Sequence, residues 1–339
     1  MRTSEQLTAG QVAEADGDYV AAAAAYRTML AATDGHIAAE AHFLLGRVSW
    51  RQGRLDAALT AYENAHASAQ RLDDTDLQAR VLNGLGAVYY ARGDHVAARR
   101  AYASAEELTT SPSLRGKVLL NLGVMESAEG ESAAARDHYH RAFEILRDSG
   151  DRAGATLALY NRGMVEAELA LWAEADTSFR EALELASAAS DREMIAKTLV
   201  NRSEVLVALG ALSEAVEHCD RALTLYAAIG DEVGRGESLR WRAHALGRAG
   251  DLVMAERNAT EALQIAMRSG ARLLEAQSAR DLGVLRGLMG DRAGGVKELR
   301  RALALFTELG ARREAQEIAA LIQRPTPNRS LQSIDPDVG

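Results

Sequence analysis

A glycine returns at almost fixed intervals along most of the 339-residue chain. It opens "GRLDAALTAY" at Gly53, "GDHVAARRAY" at Gly93 and "GESAAARDHY" at Gly130, and the same alanine and tyrosine positions follow it each time. The full series is Gly17, Gly53, Gly93, Gly130, Ala170, Gly210, Gly250 and Gly290. Its steps of 36, 40, 37, 40, 40, 40 and 40 residues predict an array of stacked repeats rather than one globular core.

Each of the eight copies has the pattern of two helices. A small residue lies seven positions before the repeated glycine, in the first helix. This first-helix position holds Gly10, Gly46, Gly86, Gly123, Gly163, Ser203, Ala243 and Gly283. The repeated glycine then ends the first helix, because glycine adopts the left-handed conformation that closes a helix.

The second helix of each copy carries three positions spaced i, i+4 and i+7, which share one helical face. The first is small: Ala22, Ala58, Ala98, Ala135, Ala175, Ala215, Ala255 and Gly295. The second is an aromatic ring in five copies: Tyr26, Tyr62, Tyr102, Tyr139 and Phe179. The third is Met29 and then alanine: Ala65, Ala105, Ala142, Ala182, Ala222, Ala262 and Ala302. Since small residues let two helices approach and a ring fills the remaining space, the pattern predicts the same helix–helix contact in every copy.

The junctions between copies carry their own signals. Second helices end at Gly150, Gly230, Gly270 and Gly310, with Ser190 in the equivalent place. Asp151, Asp191 and Asp231 follow directly. An aspartate in this position is predicted to cap the next helix, because its carboxylate accepts hydrogen bonds from the first free backbone N–H groups.

The segment "LNGLGAVYYARGDHVAARRAY", which begins at Leu82, resembles the tetratricopeptide repeat (TPR) signature. The expected positions are filled by Leu82, Leu85, Gly86, Tyr89, Ala98, Tyr102 and Ala105. The resemblance spans about residues 3–310, and in the later copies Cys219 and Ala259 stand in place of the ring. It is closest to the longer variant of roughly forty residues found in cell-polarity adaptors, kinesin light chains and bacterial regulators.

We therefore predict an all-α fold, a right-handed α-solenoid of eight TPR-like helical hairpins with a C-terminal capping helix. The hairpins are expected near residues 3–34, 37–74, 77–111, 113–150, 152–190, 192–230, 232–270 and 272–310. Residues 312–323 begin like another first helix without a second helix after it, which suits a cap. The solenoid would cover residues 1–323, and the composition of residues 324–339 predicts a disordered tail.

The composition favours a helical protein and argues against some classes of function. Hydrophobic residues make up 47% of the chain and aromatic residues only 5%, which favours closely packed helices built from alanine and leucine. The net charge of -9 argues against a general nucleic-acid-binding protein. Neither a secretory signal nor an apolar run long enough to cross a bilayer is found, so no membrane partner and a cytoplasmic location are expected.

The sequence carries no motif for catalysis, a cofactor or a metal. It contains no glycine-rich phosphate loop, no HExxH motif and no serine in a strand-to-helix elbow. Cys219 is the only cysteine and occupies a core position, which excludes an intrachain disulfide and a thiol-rich metal site. A non-catalytic protein without cofactor or metal is therefore expected, although side chains from distant repeats could still converge on a site.

The resemblance implies that the first helices line the concave wall of a superhelix, where a peptide or a partner helix binds. Positions three before, one after and four after the small first-helix residue share one face. The candidate binding residues on or beside this face are Phe43, Arg47, Trp50, Asn83, Tyr90, Asn121, Tyr160, Asn161, Met164, Asn201, Arg240, Trp241, His244 and Arg280. Apolar residues at this spacing fit a core equally well, but Trp50 and Trp241 next to arginines favour an interface.

An asparagine ladder runs through three copies. Asn121, Asn161 and Asn201 are one repeat apart, two residues before the small position. Asparagine is a poor helix former, and its amide matches the two hydrogen bonds of a peptide unit. The ladder therefore predicts contacts to the backbone of an extended peptide. The alternative is a solvated or cap-like contact to a neighbouring helix.

A second ladder consists of Arg162, Arg202 and Arg242, which stand where earlier copies have leucine. An arginine in a buried leucine position needs a partner or must extend to the surface. Glu166 lies one turn after Arg162 and is predicted to pair with it. The alternative is a subsite for an anion.

Three functional hypotheses follow. The first is a non-catalytic adaptor that binds a protein or peptide segment in the concave groove. The second is a stand-alone bacterial sensor that binds a short signalling peptide and acts through a partner protein, because no DNA-binding or phosphatase module is recognised. The third is a self-associating structural solenoid. The oligomeric state stays open, with a monomer favoured.

Overall fold

The computed structural model describes residues 2–31 and 34–323, and every regular element in these two segments is an α-helix. The first eight helices are α1 (Arg2–Ala15), α2 (Tyr19–Met29), α3 (Gly35–Arg51), α4 (Leu55–Arg71), α5 (Thr75–Ala91), α6 (His95–Leu108), α7 (Pro112–Ala128) and α8 (Ser132–Asp148). The next nine are α9 (Arg152–Glu168), α10 (Trp172–Ala188), α11 (Arg192–Leu209), α12 (Leu212–Ile229), α13 (Glu232–Arg248), α14 (Leu252–Ser269), α15 (Arg272–Leu288), α16 (Arg292–Glu308) and α17 (Arg312–Gln323). The predicted tail, residues 324–339, lies outside the described residues.

The chain divides into two compact units, Met1–Ala158 and Leu159–Gly339. In unit 1 the helices pair as the hairpins α1/α2, α3/α4, α5/α6 and α7/α8. In unit 2 they pair as α11/α12, α13/α14 and α15/α16, and the part of α9 within this unit packs on α10. Each hairpin also packs on the next one within its unit. The predicted all-α solenoid of helical hairpins is thereby confirmed.

The contact between the two helices of a hairpin is the one that the repeat predicts. A methyl group on Gly123 would lie 2.6 Å from Cε1 of Tyr139, too close for any van der Waals contact. The same contact joins Gly46 with Tyr62, Gly86 with Tyr102, and Gly163 with Phe179. Each of these rings is at least 96% buried. Glycine is therefore required because the ring of the second helix lies directly against the backbone of the first.

Later copies have a larger residue on the first helix and a smaller one on the second helix at this contact. Ser203 and Ala243 replace the glycine of the first helix, and Cys219 and Ala259 replace the ring. All four are completely buried. Burial raises the pKa of the Cys219 thiol to about 12, so this cysteine stays a protonated core residue. The volume lost from one helix is compensated by the other, as close packing demands.

Turns and caps follow the sequence signals. Gly93 and Gly130 have φ angles of 80° and 83°, and Ala170 adopts φ 55° in the equivalent turn. Asp151 accepts a hydrogen bond from the backbone N–H of Gly154 at 3.0 Å. Asp191 and Asp231 cap α11 and α13 in the same way. The three predicted aspartate caps are confirmed.

The last helix, α17, covers the end of unit 2. Ile318 is completely buried against the cluster that contains Leu305 and Phe306. Ala315 and Ile322 pack partly buried against the same cluster, while Arg312 and Arg313 are exposed. One apolar and one charged face are what a terminal cap of a repeat stack requires.

Two glycines of α15 allow the close contact between first and second helix to be tested on a single helix. A methyl group on Gly283 would lie 2.8 Å from Cγ of Leu299 and 3.0 Å from the backbone oxygen of Gly295, whereas one on Gly287 would meet nothing within 4 Å. We expect Gly283→Ala to lower the free energy of unfolding by about 1–3 kcal/mol through overpacking. Gly287→Ala should leave it unchanged or raise it by at most about 1 kcal/mol, because alanine is the better helix former. Urea denaturation of both variants measures the free energy of unfolding. Equal changes in the two variants would contradict the prediction.

Candidate functional site

First helices of successive hairpins touch one another directly. In unit 1, α3 contacts α5 and α5 contacts α7, and in unit 2, α11 contacts α13 and α13 contacts α15. Successive second helices make no comparable contact among the described residues. We call the side of the first helices that carries the predicted binding residues the first-helix face, and describe it separately for each unit.

In unit 1 the predicted Arg47 is engaged by a buried carboxylate. Its Nε and Nη2 donate to the two carboxylate oxygens of Glu14 at 2.8 and 2.7 Å. The Tyr26 hydroxyl donates to the same carboxylate at 3.0 Å. Burial and this hydrogen bond raise the pKa of Tyr26 to about 12. Arg47 therefore links the first two hairpins through Glu14, a partner that the sequence pattern did not identify.

Phe43 is buried beneath an arginine. Its ring centroid lies 5.9 Å from that of Tyr62, and the guanidinium of Arg80 lies 4.3 Å from the ring centroid. Arg80 is held in turn by two hydrogen bonds to Glu40, of 2.9 and 2.7 Å. Phe43 thus belongs to the core of unit 1. Trp50 differs, since 42% of its surface is exposed.

The polar residues predicted on α5 and α7 bond to each other. The amide nitrogen of Asn121 donates to the side-chain oxygen of Asn83 at 2.9 Å. Tyr90 is half-buried, and its ring meets His95 edge-on with centroids 5.4 Å apart. The two asparagines therefore bridge neighbouring first helices, as the alternative interpretation of the ladder expects.

In unit 2 the next members of the ladder differ from one another. Asn201 donates to the Tyr160 hydroxyl at 2.7 Å and to the Lys197 carbonyl at 3.2 Å. Met164 packs with Tyr160 in the cluster around Phe179. Asn161 is half-buried, and its amide forms no side-chain hydrogen bond with the residues that the structure describes. Of the three ladder asparagines, only Asn161 keeps its hydrogen-bonding capacity for another molecule.

The arginine ladder is paired inside the protein. Arg162 Nε donates to the Ser178 hydroxyl at 2.9 Å and lies 3.5 Å from Glu166, so the predicted Arg162–Glu166 pair is confirmed. Ser178 also bonds to Glu166. Arg202 contacts Asp176 at 2.7 Å and Glu214 at 3.0 Å, and Arg242 contacts Asp220 at 2.7 Å. These pairs support the structural interpretation of the ladder.

His218 completes the surroundings of Arg202. Arg202 Nη1 lies 3.2 Å from Nε2 of His218, whose side chain is almost fully buried. Burial, reinforced by the positive charge of Arg202, lowers the pKa of His218 to about 4. The imidazole is therefore neutral in the folded protein at neutral pH and accepts the hydrogen bond from Arg202.

The remaining predicted residues of unit 2 meet at one buried carboxylate. Asp281 Oδ2 lies 3.3 Å from Arg240 Nη1 and 2.7 Å from His244 Nε2, and Asp281 Oδ1 accepts from Arg280 Nε at 3.0 Å. The guanidinium of Arg240 also lies 4.5 Å from the ring centroid of Trp241. We call Arg240, Trp241, His244, Arg280 and Asp281 the Asp281 cluster.

Two carboxyl groups near this cluster have opposite pKa shifts. Burial opposes the ionisation of Asp281, but the charges of His244, Arg280 and Arg240 outweigh it and hold its pKa far below the usual range. Glu204, half-buried on α11, interacts with the same three residues, yet burial raises its pKa. Asp281 is thus held in its ionised form by the neighbouring positive charges.

Asp281 is not among the residues predicted from the sequence, although its position in the repeat indicates a polar role. Asp281 lies two residues before Gly283, which is the position that Asn121, Asn161 and Asn201 occupy in earlier copies. Trp241 interrupts this column in the seventh copy, and the column is polar again, as an acid, in the last copy. Within residues 2–31 and 34–323, no group of three His, Cys, Asp or Glu side chains is placed to hold a metal ion. No helix in that part of the chain is long and apolar enough to span a bilayer.

Comparison with known proteins identifies the repeat. The family model of the tetratricopeptide repeat matches residues 37–111 and 154–228. These two stretches of the chain are tetratricopeptide repeats. No curated protein matches this chain.

Solved structures share the fold at low sequence identity. The apo form of RapI is 14% identical, with a TM-score of 0.76, over 94% of this chain and 90% of RapI. A Rap protein complexed with Competence and Sporulation Factor is 16% identical, with a TM-score of 0.58, over 86% and 81% of the two chains. A signal transduction ATPase with a TPR sensor, from Pyrococcus horikoshii, is 16% identical with a TM-score of 0.71 over 90% of this chain. This chain spans 47% of the length of that ATPase. These identities show the fold alone.

The buried neutral His218 predicts a pH dependence of stability. Unfolded histidine titrates near pH 6.5, whereas folded His218 takes up a proton only near pH 4. Unfolding therefore binds a proton between these values, and stability is lost as the pH falls from about 7 towards 4. As the pH falls from 7 to 5, we expect the free energy of unfolding of His218→Gln to decrease by about 1–2 kcal/mol less than that of the wild type. Urea titrations at both pH values test this, with His140→Gln, at an exposed position on α8, as the control. The same pH dependence in His218→Gln as in the wild type would contradict it.

Proposed function

We propose that this TPR protein is a non-catalytic adaptor that binds an extended protein or peptide segment on its first-helix face. The observation that carries the proposal is Asn161. Its half-buried amide forms no hydrogen bond with the described residues, whereas Asn121 and Asn201 are both engaged by neighbouring first helices.

The surroundings of Asn161 suit a peptide backbone. Tyr160 and Met164 form a half-buried apolar surface on the same helix, α9. A hydrogen bond beside such a surface is partly shielded from water, which increases the cost of leaving it unmade. One asparagine amide can donate to a peptide carbonyl and accept from a peptide N–H, so it can hold a backbone without specifying a side chain. The binding we propose needs no cofactor, metal or membrane, and we place it in the cytoplasm.

A more specific form of the proposal is a stand-alone sensor that binds a short signalling peptide and acts through a partner protein. It draws support from the similarity to RapI, which covers nearly all of both chains, and to a Rap protein solved with Competence and Sporulation Factor. A self-associating solenoid is the competing function. Sedimentation at increasing concentration separates the two, because a chain that stays monomeric cannot act by self-association.

A single substitution tests the adaptor proposal. Peptides that bind the immobilised protein are selected from a random library, and their affinities are measured by titration calorimetry. We expect Asn161→Ala to cost about 1–3 kcal/mol of binding free energy, which is at least about five-fold in affinity. Its thermal stability should stay level or rise, because alanine is the better helix former.

The matched control is Asn64→Ala, at an exposed position on the second helix α4. This variant should bind the selected peptides like the wild type. If Asn161→Ala unfolds early and still binds normally, Asn161 is a structural residue and the first-helix face is not the binding surface.

A further inference from the structure

The last second helix, α16, carries three exposed cations that the protein does not neutralise. The side chains of Arg292, Lys297 and Arg300 form no ion pair and no hydrogen bond within residues 2–31 and 34–323. No other helix in these two segments has three unpaired cations. The chain as a whole has a net charge of -9, so this positive surface stands out against an acidic protein.

The carboxylates closest to these cations in the chain are engaged elsewhere. Glu298 is buried and lies 3.2 Å from Arg286. Glu308, in the last turn of α16, lies 2.6 Å from Arg272. Asp291 caps the N-terminus of α16 with its side chain. The positive charge on the exposed side of α16 is therefore not compensated by its own helix.

The folding of α16 does not explain these cations. Lys297 and Arg300 are three residues apart and hence neighbours on the helix surface, where like charges destabilise a helix. Arg292 lies in the first turn, where the helix dipole disfavours a positive charge, and this turn contains no acidic residue. The helix packs through its opposite side, where Leu299 and Ala302 are buried. The cations thus add repulsion without contributing to the packing of the hairpin.

The exposed side of α16 has the shape and polarity of a docking surface. Arg292, Ala293, Val296, Lys297 and Arg300 line one open groove. Ala293 is exposed and Val296 is half-buried, so apolar groups lie between the charged side chains. Arg292 and Arg300 are about 12 Å apart along the helix axis. We call these five residues the α16 outer face.

The preceding second helix, α14, extends the same pattern. Arg257 occupies the position of Lys297 one repeat earlier, and it is also exposed and unpaired among the described residues. Val253 occupies the position of Ala293, and 70% of its surface is exposed. An apolar residue followed one turn later by a cation is therefore present on both helices.

The chemistry of the α16 outer face fits an acidic protein segment. A guanidinium group pairs with a carboxylate through two parallel hydrogen bonds. The apolar groups between the cations suit an aliphatic side chain of the same segment, which the phosphate backbone of a nucleic acid does not offer. A membrane or a long nucleic acid also meets the field of the whole protein, whose net charge of -9 repels it. A short segment meets mainly the local charges, because salt screens those farther away than about 10 Å.

We propose that the α16 outer face binds an acidic segment of a partner protein. Carboxylates of the segment pair with Arg292, Lys297 and Arg300, and an aliphatic side chain packs on Ala293 and Val296. The surface lies on a second helix and is distinct from the first-helix face, so the inference does not rest on Asn161. It goes beyond the proposed function because it gives the adaptor a second contact surface, through which it can connect two partners.

A short acidic peptide tests this surface. The probe is a fluorescein-labelled peptide in which single leucines alternate with pairs of glutamates, and its matched control has glutamine in place of every glutamate. Binding is measured by fluorescence anisotropy at low and at high salt. At low salt we expect the acidic peptide to bind at least about five-fold more tightly than the glutamine peptide, and the difference should shrink at high salt. Equal binding of the two peptides would overturn the proposal.

Two triple variants locate the binding. The α16 triple variant combines Arg292→Gln, Lys297→Gln and Arg300→Gln, and it should bind the acidic peptide at least about five-fold more weakly than the wild type. The control variant removes the same charge at three exposed, unpaired arginines on α2, α10 and α12, through Arg27→Gln, Arg180→Gln and Arg221→Gln. It should bind like the wild type. Equal losses in the two variants would reduce the effect to net charge and overturn the proposal.

The stability of the α16 triple variant separates binding from folding. We expect its thermal unfolding, followed by circular dichroism, to occur at the same temperature as in the wild type or higher, because the substitutions relieve repulsion between like charges. Unfolding at a lower temperature would assign the three cations to the stability of the repeat and overturn the proposal.

Two other polyanions are compared with the acidic peptide. Vesicles of phosphatidylserine and phosphatidylcholine represent a membrane, and a short DNA duplex represents a nucleic acid. We expect the α16 triple variant to lose more affinity for the acidic peptide than for either of them. A larger loss for the vesicles or the duplex would assign the surface to that polyanion and overturn the proposal.

The adaptor function and the α16 outer face fail separately. If the acidic peptide binds the α16 triple variant as tightly as the wild type while library peptides depend on Asn161, the adaptor function is kept and this second surface is removed. If the acidic peptide requires the α16 outer face but no library peptide depends on Asn161, the second surface is kept and binding on the first-helix face is removed.

Discussion

The structure depends on one contact, a large side chain of the second helix pressed against a small residue of the first. Tyr62 shows how this contact also joins neighbouring repeats. Methyl groups on Gly46, in its own hairpin, and on Gly84, in the next first helix, would each lie 2.6 Å from its ring. One ring therefore sets the spacing within a hairpin and between two hairpins. Since each ring lies close to its partners in sequence, every repeat forms its own part of the core.

This packing leaves other positions of the first helix for different uses. The small residue faces the second helix, so the positions two and three before it and one after it can meet the neighbouring first helices. In α13 and α15 these positions hold Arg240, His244, Arg280 and Asp281, which meet across the two helices. In unit 1 the same positions hold Phe43, Arg47 and Asn83, which are used for packing and for bonds between helices. The same backbone therefore supports a packed surface in one unit and a charged cluster in the other.

The asparagine ladder shows that the same residue at equivalent repeat positions can have different partners. Asn121, Asn161 and Asn201 are equivalent in the sequence, but each has different neighbours. Asn121 meets another asparagine, Asn201 meets the hydroxyl of Tyr160, and Asn161 bonds to no described side chain. A hydrogen bond requires its donor and acceptor to lie within about 3 Å of each other. The residue that the neighbouring repeat places beside an asparagine therefore decides whether its amide is bonded within the protein or stays available.

The sequence by itself determined the helices, their pairing into hairpins, the glycine turns, the aspartate caps and the TPR signature. These features rest on contacts within one repeat, and local spacing along the chain specifies them. Even the exchange of ring and glycine for Cys219 and Ser203 can be seen in the residues alone. Only the tertiary structure decided which polar residues of the first helices are satisfied. Partners such as Glu14 for Arg47 and Asp281 for Arg240 lie 33 and 41 residues away. Their pairing depends on the distance and direction between side chains of different repeats, which periodicity does not specify.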